Sequence, residues 1–204
     1  MVSSKRGKQM PDIVFLTPGT GVEIEYFKSI IKTIKVLESN SITWDVHTKF
    51  SSHVAVAREQ TLADLFVHTG SDYKMLLWID SDIVWTPEDV LKAYNSEYDV
   101  ITGCYAVNGN EELVAALMDN EWVEDWFLDT IEHPVRVDSC GMGFLAIKSG
   151  IIEKIDRPVF SVDTKTTILG EDIILCKKLR ALGVDIWLDP TIRLGHVKKV
   201  ITRV

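Results

Sequence analysis

Residues 74–79 (KMLLWI) run almost continuously apolar, with no alternation of polar positions. A sheet strand with one wet face alternates; a strand without one reads like this, and such strands belong to parallel sheets covered by helices on both faces. The neighbouring segments keep to that architecture. Residues 12–17 (DIVFLT) are β-rich and end at Pro18-Gly19-Thr20-Gly21, a strong turn signal. Ile24, Phe27, Ile31 and Ile34 then recur at helical spacing, which predicts an amphipathic helix over 23–37 with these residues inward and lysines outside. Residues 42–48 alternate as a strand, and 54–67 return to helical spacing through Leu62, Leu65 and Phe66. Thr86 as N-cap, Pro87 at the first helical position and Glu88-Asp89 in the first turn open a third helix, before a fourth strand at 99–104. This β-α-β-α-β-α-β order predicts an α/β, Rossmann-like sandwich: a mainly parallel central sheet flanked by helices.

After Cys104 the rhythm breaks. Residues 105–137 are acidic, aromatic and irregular, and read as a hairpin or short helix. A strand is expected at 143–147, a short helix capped by Ser149 through Ile155, and a helix from Gly170-Glu171-Asp172 to about Leu182, ended by Gly183. A last short strand at 185–188 leads into Asp189-Pro190 and Gly195-His196. With 204 residues and 46% hydrophobic composition, one domain with a real core is expected, preceded by a flexible basic tail over 1–10. That tail has no apolar stretch behind it and does not read as a secretory signal, and no run is long enough to span a membrane. A cytoplasmic location is therefore expected. The net charge of -8 disfavours nucleic-acid binding spread over the whole surface. Cys104, Cys140 and Cys176 form no CxxC pair and read as reduced core residues.

The apolar run ends in two acids, within LLWIDSDIVWTPEDV. Residues two apart on a strand share a face, so Asp80 and Asp82 would project together from the carboxyl end of the third strand, where open α/β sheets bind ligands. Two such carboxylates suit a hard divalent ion, Mn²⁺ or Mg²⁺, shared with substrate phosphates.

That stretch resembles the Asp-x-Asp motif of GT-A fold glycosyltransferases, particularly family-2-like enzymes. Ala57-Arg58-Glu59 lies upstream, in a helix leading to that strand, as in these enzymes. Downstream, Cys140-Gly141-Met142-Gly143-Phe144 resembles their acceptor-side glycine segment, Gly170-Glu171-Asp172 their "ED" motif, and Asp189-Pro190 with Gly195-His196 the tail whose histidine completes the metal shell. All five occur in the family's order.

The resemblance implies a metal-dependent, inverting transferase. A nucleoside diphosphate sugar, with UDP favoured, would be the donor. The acceptor would be an unidentified hydroxyl: a glycan, a lipid-linked sugar or a modified nucleic-acid base. Residues 11–104 would form the nucleotide-binding half and 105–204 the acceptor and catalytic half. Asp82 and His196 would bind the metal, with Asp80 joining through water or contacting the ribose beside Ser81. Thr17 and Pro18 would cradle the base, Arg58 would contact the nucleotide or its phosphates, and Gly141 and Gly143 would let substrate approach the backbone. Asp172 or Glu171 would be the general base, although acids at a helix start also cap it. Two rivals differ in class. A sugar-nucleotide pyrophosphorylase needs a basic residue in the loop after the first strand, and none stands there before Lys28. A non-catalytic nucleotide-sugar or carbohydrate-binding module would not require Glu171, Asp172 and His196.

Overall fold

The computed structural model describes residues 10–107, 110–163 and 169–198. The expected basic tail, apart from Met10, and the basic residues beyond 198 lie outside them. In chain order the elements are β1 (Ile13–Leu16), α1 (Ile24–Ser39), β2 (Trp44–His47), α2 (Val54–His68), β3 (Met75–Ile79), β4 (Ile83–Val84), α3 (Pro87–Asn95) and β5 (Val100–Cys104). There follow β6 (Ala106–Val107), β7 (Asn110–Met118), β8 (Glu121–Glu124), α4 (Asp125–Leu128), β9 (Val135–Val137), β10 (Ser139–Cys140) and β11 (Phe144–Lys148). A single 3-10 turn at Ile152–Lys154 stands where a short helix was expected, and α5 (Glu171–Ala181), β12 (Ile186–Arg193) and β13 (Gly195–His196) complete the chain.

A seven-stranded sheet, ordered β2-β1-β3-β11-β5-β12-β9, forms the centre. β2, β1, β3, β5 and β12 run one way; β11 and β9 run against them. The mainly parallel sheet is thus as predicted, and β1, β3 and β5 are buried along their whole length, which is why they lack alternation. Helices cover both faces. Leu62 and Leu65 of α2 and Leu175 and Leu179 of α5 pack with Val14, Leu76 and Trp78 on one side. Tyr26, Ile30 and Leu37 of α1 and Val90 and Ala93 of α3 pack with Ile13, Phe15 and Leu77 on the other.

Two expectations need correction. The face of α1 that periodicity turned inward is largely outside: Ile24, Phe27 and Ile31 are 57%, 52% and 39% exposed. The helix instead buries Tyr26, Ser29, Ile30, Thr33 and Leu37. Hydrogen bonds select that face. Ser29 Oγ donates to the Trp85 carbonyl at 2.8 Å, and Trp85 Nε1 donates to Thr33 Oγ1 at 2.9 Å. A polar pair with a specific partner satisfies a buried indole N–H, which an apolar face would have left orphaned. The final strand also runs past Asp189-Pro190, through a break in register between Leu188 and Arg193. Proline cannot donate to a ladder, and an irregularity is where a strand tolerates it. The irregular segment after Cys104 is largely a small antiparallel sheet: β7 pairs with β6, β8 and β10.

Candidate active site

β3 stops at Asp80. Its N–H donates to the Gly143 carbonyl at 3.1 Å, and the Asp80 carbonyl accepts from Ile83 N–H at 3.1 Å, closing a turn that contains Asp80, Ser81 and Asp82. The two acids then part. Asp80 turns to Arg58, whose Nη2 donates to both its oxygens, at 2.9 and 3.2 Å. Arg58 Nε donates to Glu171 Oε1 at 3.2 Å. The guanidinium, on α2, is only 3% exposed and lies over the Trp78 ring, 5.8 Å from its centroid. Burial alone would lower its pKa, but Asp80 and Glu171 more than offset this and hold it above the usual value. Its Nη1 has no protein partner.

Asp82 turns the other way. β13 pairs with β4, setting His196 opposite Ile83, and His196 Nε2 lies 3.2 Å from Asp82 Oδ2. The other ring nitrogen, Nδ1, is 2.9 Å from the Ala106 carbonyl. A carbonyl only accepts, so Nδ1 carries the hydrogen, and a neutral ring then presents the Nε2 lone pair toward the carboxylate. Two lone pairs face each other across that gap, which calls for a proton or a cation between them. Lys198 supplies one: its ammonium bonds His196 Nε2 and lies 3.6 Å from Asp82 Oδ2.

Asp172 stands in the first turn of α5. Its Oδ1 accepts the Ile173 N–H at 2.7 Å and lies 2.6 Å from where a Cβ on Gly170 would sit, so a side chain there would displace it. Burial raises its pKa, partly countered by the bond from Ile173 N–H, while the neighbouring Glu171 charge pushes the same way as burial. Asp80, Arg58, Glu171, Asp172 and His196 all line one cleft of about 340 Å³.

No protein-family model matches the chain, and no curated protein matches it. Solved structures do. The chain is similar to A197 from STIV, at 23% identity with a TM-score of 0.60, covering 94% of this chain and 97% of that one. It is similar to the catalytic domain of Drosophila β1,4-galactosyltransferase 7, solved in complex with xylobiose, at 12% identity and TM-score 0.56, over 93% of this chain and 71% of the other. It is also similar to GalNAc-T7, solved with UDP, GalNAc and Mn²⁺, at 10% identity and TM-score 0.56, where 95% of this chain spans 45% of that one. The chain has the GT-A fold.

In this GT-A frame, the three side chains expected around a metal do not converge. Asp80 is held by Arg58, and among the described residues no three His, Cys, Asp or Glu side chains gather closely enough to hold an ion. Asp82 and His196 alone aim at one point, and the Lys198 ammonium marks that point as a place for positive charge. Two protein ligands fit an ion that takes its remaining oxygens from phosphates and water. Arg58, expected to reach the nucleotide, is a buried clamp between two acids.

Thr17 and Pro18 are buried at the end of β1; Thr17 Oγ1 is 2.5 Å from Tyr26 Oη, and neither residue lines the cleft. Ser81 supports the loop that follows them, its carbonyl accepting Glu23 N–H at 2.9 Å. Gly141 lines the cleft, while both it and Gly143 are crowded by Tyr105: a Cβ would meet its Oη at 2.2 Å from Gly141 and its Cζ at 2.6 Å from Gly143. Tyr105 Oη accepts Gly143 N–H at 2.8 Å, and the ring edge packs on His196, centroids 5.6 Å apart. Tyr105 thus ties Gly141 and Gly143 to the histidine. Sequence gives no signal for it, because an aromatic just after a strand carries none of its own, and none for Lys198, a charge beside His196 in number but not in pattern.

Proposed function

We propose that this protein is a glycosyltransferase moving a sugar from a nucleoside diphosphate sugar, UDP favoured, to a hydroxyl acceptor with inversion. The observation that carries the reading is one cleft whose wall includes both His196, which with Asp82 forms a position for a cation, and a half-buried carboxylate, Asp172, with a raised pKa. GalNAc-T7 binding UDP and Mn²⁺ on the same fold supports the donor class.

Asp82 and His196 would hold Mn²⁺ or Mg²⁺ together with the donor diphosphate. When bound, the ion neutralises charge on the leaving nucleoside diphosphate. Asp172 takes the proton from the acceptor hydroxyl as that oxygen bonds the anomeric carbon and the bond to the diphosphate oxygen breaks, its electron pair leaving with the nucleotide. Of the two acids, we assign the base to Asp172. Glu171 is tied to Arg58, and protonating it would weaken that buried pair, whereas a carboxylate of raised pKa holds an abstracted proton more readily. Arg58 positions Asp80 and Glu171. Residues 11–104, joined by His196, then serve the donor, and the rest of 105–204 the acceptor and base.

The test is thermal unfolding with UDP, GDP, dTDP or CMP, each with Mn²⁺ or EDTA, on wild type and Asp82→Ala. A ligand at about 100 times its Kd adds roughly 2.7 kcal/mol, or about 5–10 °C for a domain of this size. A shift needing a nucleoside diphosphate, the metal and Asp82 is expected. A folded protein that shifts with none of them would refute the donor site.

A further inference from the structure

Trp122 is 48% exposed, although an indole is among the side chains that gain most from burial. Its surroundings explain the exposure. It stands on β8 opposite Leu117 of β7, and both line the cleft that holds Asp172. The next residue, Val123, is buried in the core, as is Leu128 at the end of α4. Alternation along β8 therefore fixes the hairpin through Val123 and turns Trp122 outward on a firm backing. By contrast Trp126, 63% exposed, does not line the cleft, and its indole N–H is taken by Glu124.

The rest of the cleft is of mixed character. Ala115, Ala116 and Met142 give apolar floor, and Glu171 and Asp172 offer carboxylate oxygens. A lipid chain would leave those polar groups unmet. A ligand carrying several hydroxyls satisfies them, since each hydroxyl can donate to a carboxylate oxygen. The ligand must also present a flat apolar face to Trp122. A pyranose ring has that combination: hydroxyls around its edge, and C–H groups on one face whose partial positive charge meets the negative face of the indole.

We infer that the acceptor is a carbohydrate whose terminal pyranose stacks on Trp122 and directs its reacting hydroxyl to Asp172. This rests on the transferase reading for the role of Asp172, but the platform itself does not. Trp122 is a specificity-determining residue, and the acceptor class is a glycan rather than a nucleic-acid base or a bare lipid hydroxyl.

The experiment is saturation-transfer NMR on the full chain with UDP and Mg²⁺ present, using cellobiose, lactose, maltose, mannobiose and chitobiose as probes. At least one disaccharide should receive saturation, most strongly at the C–H protons of one ring face. Trp122→Ala should weaken its binding about tenfold, and Trp122→Phe should stay within about threefold of wild type, as loss or retention of one aromatic stack implies. Equal binding by wild type and Trp122→Ala overturns the inference, and so does failure of every disaccharide to bind a sample that still shifts with UDP and metal. A sample that binds sugar through Trp122 but shows no UDP shift would keep the platform and remove the donor reading instead.

Discussion

Arg58→Met is the substitution that would expose how this site is built. In the native protein Arg58 is 3% exposed and bridges Glu171 and Asp80, whose side chains are 12% and 33% exposed. Methionine fills similar space, so the loss is chiefly of charge. Glu171 would be left as a buried carboxylate without a counter-charge, a change of about 3–5 kcal/mol in pairs of this kind. Asp80, partly solvated, adds little. Arg58 Nη1 is already unpaired, so the native pair is not fully satisfied and the lower end, about 3 kcal/mol, is expected. That is a large part of the stability of an ordinary domain. Urea unfolding at 25 °C, followed by circular dichroism, should show a lower midpoint at unchanged slope. A second variant, Arg58→Met with Glu171→Leu, should recover most of the loss, because it removes the stranded charge as well. Acidification gives an independent check. Protonating the stranded carboxylate removes its buried charge, so the penalty is largest where that group is ionised and fades as pH falls. A loss below about 1 kcal/mol, or one that does not change with pH, would refute the view of Arg58 as a buried clamp.

Three further outcomes follow from the remaining charges. Lys198→Met should tighten Mn²⁺ binding by roughly 5–30-fold, since about 1–2 kcal/mol of repulsion at a part-exposed site is removed; electron paramagnetic resonance of free Mn²⁺ measures this, and unchanged affinity would mean the ammonium does not share the Asp82–His196 position. Asp172→Asn should lower turnover of a UDP-sugar by about 10²–10⁴-fold while leaving the UDP thermal shift intact. The same variant should be more stable than wild type near neutral pH. Asp172 has a raised folded-state pKa, so folding favours its protonated form; the advantage of asparagine is full above that pKa and disappears as pH falls below the unfolded value. Equal stability of the two proteins at all pH values would contradict the burial of that carboxylate.

Sequence alone carried the frame of this protein. The short apolar runs at β1 and β3, bounded by turn signals, read as strands with both faces covered, and Thr86-Pro87 with Gly183 punctuates two of the helices, because these are local consequences of backbone chemistry and burial. The order of the acidic and glycine motifs was likewise enough to anticipate the GT-A sandwich. Tertiary structure decided the rest. Which arc of α1 is buried depended on Trp85, 56 residues from Ser29, and no periodicity encodes a partner that distant. The separation of Asp80 from Asp82 had the same origin: strand spacing alone would set them side by side, but the chain turns at Asp80, Arg58 holds that acid in a buried pair with Glu171, and His196, 114 residues away, faces the other. Two acids at the end of a strand are a local fact. Which of them stays free for a cation is settled by charges that only folding brings together.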